Sequence, residues 1–279
     1  MSQQFDPELH RQMGVEADVV LRVGMLLMGA GSSGYRVLRG MKRSARALGF
    51  DHLDATVGLT QITCTFHRGE YFRTVIARQH SPAVDASRIE ALEDLTHNRL
   101  YAGITAQELA AKLDVIEFGV KKRWSGLVLS FAAAIACAAF AYLNCFPLEA
   151  VGLVALAAFA GQFVRYTVLH RHVHQIGGVI AGGAPASLVL FLLTEFFGAI
   201  GSVAPSELSS GVVAAVLFLI PGFPLFSALI DIARFDLDAG IVRLGYAFTV
   251  IFTATFTVSM VSWLTQLTPD PPAPAQDMK

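Results

Sequence analysis

The sequence predicts an α-helical polytopic membrane protein of about five transmembrane helices with an N-terminal soluble α+β domain. Three observations carry that reading. Hydrophobic residues make up 54% of the 279 and charged residues only 15%, against about 25% charged in ordinary globular chains. That average conceals a division, because Arg, Asp, Glu and His crowd the chain up to Arg123 and become sparse beyond Ser125. Five apolar runs then follow one another, each near the roughly 20 residues a helix needs to cross the hydrocarbon core.

Residues 1–122 form the first predicted domain, placed on the cytoplasmic side. From Pro7 to Leu48 apolar residues recur at helical spacing, through Val19, Val20, Val23, Leu26 and Leu27, then Val37, Leu38, Met41, Ala45 and Leu48. This stretch reads as helix, stopped by Gly49. Between Thr56 and Ala77 the period changes to two around His67-Arg-Gly-Glu70, which predicts a hairpin between Ile62, Cys64, Phe66 and Phe72 to Ile76. Two more helices are expected over Ser87 to Tyr101 and Ala106 to Glu117. Thr105 with Glu108 three residues on has the spacing of a capping box.

Gly29-Ala-Gly31-Ser-Ser-Gly34 matches the dinucleotide fingerprint, and Asp54 lies about 20 residues further on. Such a site needs a buried strand before the glycines, whereas the preceding run has helical period and carries Arg22. These glycines are expected to pack helices closely and not to cradle phosphate.

Residues 123–267 form the predicted transmembrane domain, with spans near 127–146, 150–169, 176–203, 211–230 and 244–267. Pro185 and Glu195 interrupt the third, and Pro221-Gly-Phe-Pro224 interrupts the fourth. Lys121, Lys122, Arg123, Arg165, Arg171, Arg234 and Arg243 all fall at one set of loops, while 144–149 and 204–210 carry no Lys or Arg. The positive-inside rule then puts the N-terminus in the cytoplasm and the Pro-rich disordered tail, 268–279, outside. The first residues lack a basic stretch followed by an apolar core, so no cleaved signal is expected.

A formal net charge of −1, with basic residues spread out, gives no field that would gather nucleic acid. Three cysteines without Cys-x-x-Cys spacing imply neither a disulfide framework nor a zinc site. His170-Arg-His172-Val-His174 shares one face only if extended, and no carboxylate completes a metal set nearby. Neither metal nor cofactor is expected. No nucleophile-base arrangement or phosphate loop stands out, and the chain is not read as an enzyme.

Ionisable groups and broken helices inside a membrane mark candidate functional positions. Arg165 would pair with an anionic cargo or with Glu195. Pro221, Gly222 and Pro224 should break their helix, and Pro185 within Gly182-Gly-Ala-Pro185 is the second candidate break. With Asp231 and Arg243 these are the substrate-pathway candidates. Arg234, Asp236 and Asp238, at the boundary before the last span, are candidates for a gate or coupling relay; with Asp231, and Arg243 opening the last span, they read alternatively as a solvated cap of paired charges.

Taken together, Gly34-Tyr-Arg-Val37, the basic helix ending at Ala45-Arg-Ala-Leu-Gly49, the small sheet, and Ile220-Pro-Gly-Phe-Pro-Leu225 leading through Asp231 to Gly240-Ile-Val-Arg243 resemble the threonine/serine exporter (ThrE) family. The resemblance runs from about Gly14 to Gln266. It implies export of a small carboxylate-bearing metabolite, a hydroxy amino acid or a succinate-type dicarboxylate, across the inner (plasma) membrane. Single-chain members carry a second membrane module where this chain has its tail. The chain therefore resembles the larger subunit of the split form, which implies a separate small membrane subunit as partner, with self-association left open. The competing reading is a membrane-tethered sensor or assembly protein acting through its soluble domain.

Overall fold

The computed structural model describes residues 7–79, 84–120, 124–171, 173–199 and 211–265. Lys121, Lys122, Arg123, His172, the loop 204–210, the far ends of the third and fifth expected spans and the tail 268–279 lie outside the described residues. The chain divides into two compact units. One comprises Met1–Arg123 with Gly222–Tyr246, and the other Trp124–Pro221 with Ala247–Lys279.

The first unit opens with α1 (Pro7–Gly29) and α2 (Gly34–Ala47). On α1 the buried positions Met13, Ala17, Val20, Val23 and Leu27 repeat every three or four residues, which turns one stripe inward. On α2 Val37, Met41 and Ala45 do the same. The single helix expected over this region is in fact two. Gly31 adopts φ +89°, a conformation that costs glycine nothing and most residues a good deal, and the chain turns there.

A three-stranded antiparallel sheet follows, β1 (His52–Val57), β2 (Gln61–Arg68) and β3 (Tyr71–Arg78), in that spatial order. Ala55 lies opposite Cys64 and Cys64 opposite Val75. Leu53, Val57, Ile62, Cys64 and Phe66 thus point to one face and join the α1–α2 core. The β2–β3 turn sits where the sequence placed it, with Gly69 at φ +59°. Next come α3 (Ala86–Asn98) and α4 (Ala106–Gly119). The capping box at Thr105 and Glu108 forms as expected, and Arg22 of α1 ties α4 down through Asp114 and Glu117.

In the second unit α5 (Gly126–Leu143), α6 (Leu148–His170) and α7 (Gln175–Ala199) run consecutively. They are followed by the short α8 (Gly211–Ala215) and a 3-10 turn, Leu217–Leu219. Further on, α9 (Gly222–Ala233) belongs to the first unit, while α10 (Leu237–Thr265) contributes its first turns to the first unit and residues 247–265 to the second. Four helices, α5, α6, α7 and α10, are long and apolar enough to cross a membrane, with mean hydropathies of 2.1, 1.5, 2.0 and 1.6. The fourth expected span is not one helix. It is cut into α8, the 3-10 turn and α9 at Pro221, which has no N–H to give to the preceding turn. Pro185 behaves differently: α7 runs through it unbroken, and membrane helices tolerate an internal proline more readily than soluble ones.

Small residues line the interior of the second unit and large ones its exterior. Ala150, Ala157, Ala158 and Gly161 of α6 and Gly178, Gly182, Gly183 and Ala186 of α7 are buried. Phe131, Leu156, Leu192, Phe196, Phe252 and Phe256 are exposed. That inversion suits a bundle whose outer solvent is lipid and whose helices associate by close packing. The chain is a polytopic membrane protein with a soluble N-terminal α+β domain.

A Cβ at Gly161 would lie 2.6 Å from the Gly182 carbonyl oxygen and 2.7 Å from Ala186 Cβ. Gly161→Ala should therefore force α6 and α7 apart and lower the melting temperature of the purified protein; an unchanged melt would contradict the close crossing. Burial raises the Cys64 thiol to about 12, Cys137 is buried and Cys145 exposed. Because thiolate is the reactive form, maleimide at pH 8 should label Cys145 alone in the folded protein and all three cysteines once it is denatured, as read by intact mass.

Candidate functional site

Within the first unit, two sequence motifs some 200 residues apart meet. Asp231 on α9 is fully buried and Arg243 on α10 is 4% exposed. Arg243 Nε lies 3.5 Å from Asp231 Oδ2. The same guanidinium donates from Nη1 to the Ser32 carbonyl at 2.7 Å, and the Gly34 amide donates to Asp231 Oδ2 at 3.2 Å. The first amides of a helix have no partner within it. Ser33 supplies no side-chain cap to α2, so Asp231 takes that role from another element, and its negative charge suits the helix dipole there.

Local structure explains how Asp231 reaches this position. At the end of α9 the Asp236 amide donates to the Asp231 carbonyl at 3.0 Å and the Phe235 amide to the Ile232 carbonyl at 2.9 Å, with Phe235 at φ +61°. This is a Schellman turn with phenylalanine where glycine is usual. It reverses the chain so that α10 returns beside α9. Gly240 makes the return close, since a Cβ there would lie 2.5 Å from Ile232 Cγ1. Gly34 is equally confined: its Cβ would be 3.1 Å from Asp236 Oδ2. Tyr35, beside it, receives the Arg234 guanidinium 3.7 Å above its ring, a cation–π contact. The glycine-rich stretch Gly29 to Gly34 thus serves close packing, with a helix before it and no strand.

The second unit holds the other group of interest. Arg165 on α6 packs on α7, where a Cβ at Gly182 would lie 3.1 Å from Arg165 Cβ. Its Nη1 donates to the Phe218 carbonyl at 3.2 Å. Phe218 lies in the 3-10 turn just before Pro221, where the interrupted helix leaves carbonyls without intrahelical partners. A neutral carbonyl is a weaker partner for a guanidinium than a carboxylate, which can accept two parallel bonds. The arrangement can therefore exchange an internal acceptor for a carboxylate ligand.

Not every expected residue joins these groups. Glu195 is exposed on α7, thirteen residues beyond Gly182, or about 20 Å along the helix at 1.5 Å per residue. The pairing with Arg165 considered from the sequence is therefore too distant. Pro185 lies inside an intact helix, Gly222 has open space around its Cα, and Pro224 lies in the first turn of α9. Asp238 and Arg234 are exposed. Asp236 Oδ1 accepts from the Ala239 amide at 3.4 Å, capping α10. The expected solvated charge cluster is thus split, with Asp231 and Arg243 withdrawn from water and the others at the rim. Sequence reading missed Ser32, whose carbonyl accepts from Arg243. Ser32 could have been found only by supposing that the two ends of the family pattern touch.

Among the described residues no group of three or more His, Cys, Asp or Glu is placed to hold a metal ion. An open cleft of about 620 Å³ lies in the N-terminal domain, lined by Arg11, Gln12, Glu16, Ile104, Thr105 and Gln107 among others.

A bundle of long apolar helices with one interrupted helix has the architecture of a polytopic membrane protein. The family model described as "Putative threonine/serine exporter" matches residues 18–265, and the chain belongs to that family; it is a membrane transport protein. The "Probable succinate transporter subunit YjjP" of Escherichia coli (strain K12) is 22% identical over 256 residues, covering 88% of this chain and 92% of that protein. A protein of the same description in Klebsiella aerogenes is 21% identical over 225 residues, covering 80% and 83%. No solved structure matches the chain.

Removing one member of a buried ion pair typically costs about 3–5 kcal/mol, because the other charge is left uncompensated. Asp231→Ala and Arg243→Ala should each destabilise the purified protein on that scale. The double variant should lose less than the sum of the two, as a thermal or denaturant melt in detergent would show. Additive losses would mean that the two residues act independently.

Proposed function

We propose that this chain is one subunit of a secondary transporter that exports small carboxylate-bearing metabolites, threonine and serine or succinate-type dicarboxylates, across the inner membrane. Residues 1–122 then face the cytoplasm, residues 123–267 form the membrane part, and the C-terminus lies outside. The observation that carries the reading is Arg165, seated on the Phe218 carbonyl just before Pro221. A guanidinium beside a helix break in an apolar bundle supports the reading, since a guanidinium suits a carboxylate and transporters use broken helices to meet anionic cargo. Membership of the exporter family supports export. The word "subunit" in the names of both relatives supports a second component, and "succinate" supports dicarboxylates as one cargo class. On this reading Pro221 and Pro224 mark the break that gives Arg165 its acceptor. Asp231 and Arg243 hold the turn after α9, with Arg234, Asp236 and Asp238 at its rim as the gate.

The sensor reading has one observation in its favour, the cleft in the N-terminal domain. It gives no role to the interrupted helix or to Arg165.

Proteoliposomes loaded with labelled succinate or threonine and carrying this chain, the small membrane subunit, or both, separate the two readings. Efflux is expected only from the pair, and Arg165→Ala should reduce it roughly tenfold or more, the scale of a lost charged hydrogen bond. No efflux of either solute from correctly oriented pairs would favour the sensor.

A further inference from the structure

We propose that Gln162 of α6 and Ser187 of α7 form, beside Arg165, the part of the cargo site that reads the polar group a cargo carries in addition to its carboxylate. The inference rests on the transport reading above and adds residues and a preference to it.

The first observation is a departure from a local rule. Buried hydroxyls on the membrane helices return their proton to their own helix one turn back: Ser130 to the Gly126 carbonyl, Thr194 to Leu190 and Thr257 to Thr253, each at 2.8 Å. Ser187 is 2% exposed and has the Gly183 carbonyl one turn behind it, yet its Oγ has no hydrogen-bond partner among the described residues. Gln162 Oε1 is likewise buried and without a partner. Buried polar atoms are almost always satisfied, and within a bilayer there is no bulk water to satisfy them. Two such atoms in one bundle point to a ligand.

The second observation is placement. Gln162 and Arg165 are three residues apart and so lie on the same side of α6. Gly161, next to Gln162, meets α7 at Gly182 and Ala186, and the Phe218 ring is also within reach of a Cβ there. Ser187 lies one turn beyond Gly183 on the same face of α7, and a Cβ at Gly183 would lie 3.1 Å from Leu219 Cδ1. Arg165 holds the Phe218 carbonyl, and Ser187 shares its helix face with the glycine that meets Leu219, so α6 and α7 both bring polar groups toward the same 3-10 turn.

Chemistry then assigns the parts. Arg165 takes a carboxylate. Gln162 Oε1 accepts only and requires a donor, while the Ser187 hydroxyl both gives and accepts. The complementary cargo is a small acid bearing a hydroxyl or ammonium group near its carboxylate, preferred over an acid of equal size and charge without one. A site built around a hydrogen bond rejects the analogue that leaves it unmade.

Malate and succinate differ by one hydroxyl. Equal amounts of the two, differently labelled, would be loaded into proteoliposomes carrying the paired transporter, and the ratio of their initial efflux rates measured. The wild type should favour malate roughly tenfold, and Gln162→Leu or Ser187→Ala should bring the ratio toward one. A wild-type ratio near one, or variants that slow both acids and keep the wild-type ratio, would overturn the assignment. Melting-temperature shifts of the detergent-purified protein with each acid give a second readout that does not need transport. A larger shift with malate than with succinate, lost in both variants, supports the site, and equal shifts overturn it. Absence of efflux of any acid from the wild type counts against the transport reading itself, and the melting shifts still decide the site.

Discussion

The buried pair of Asp231 and Arg243 is the constraint on which the first unit's architecture turns. Both charges are almost wholly withdrawn from water, and each would carry a heavy desolvation cost alone. Their attraction offsets that cost only because both are engaged further, Asp231 with the Gly34 amide and Arg243 with the Ser32 carbonyl. These additional bonds fix the start of α2, which has no side-chain cap of its own, against the turn between α9 and α10. Three glycines and one left-handed phenylalanine follow as consequences. Gly31 turns the chain into α2, Gly34 admits the acidic side chains, Gly240 lets α10 approach α9, and Phe235 completes the reversal.

In the second unit the organising fact is a helix that stops. Five residues of α8 and three of the 3-10 turn precede Pro221, and together they are far too short to cross a bilayer. Unsatisfied backbone at membrane depth is tolerated only where protein or a watery cavity supplies partners. Arg165 is such a partner. The Arg165 guanidinium thus serves as an internal cap on the interrupted helix.

Much of this was legible in the sequence. Long apolar runs give spans because the hydrophobic length is a one-dimensional requirement, and the capping box at Thr105 and the turn at Gly69 are equally local. The two α1–α2 helices read as one because their apolar stripes continue in phase across the Gly31 turn. The burial of Asp231 was not readable, since a cluster of charges in a connecting segment looks solvated until its partner, 197 residues earlier, is known. Gln162 and Ser187 were missed for a related reason: polar residues on a membrane helix are unremarkable until their neighbours fail to satisfy them. The two ends of the family pattern, Gly34-Tyr-Arg-Val37 and Asp231 to Arg243, turn out to be in contact, which is a physical reason for them to occur together.

The approach of α6 to α7 at Gly161 has a mechanical consequence. With no side chain to act as a bearing between them, the two backbones mesh like cogs, and sliding one past the other would drive Ala186 and the Gly182 carbonyl into α6. The pair therefore forms a stiff element of the bundle. The 3-10 turn, by contrast, meets it through a polar contact, the Phe218 carbonyl that Arg165 holds.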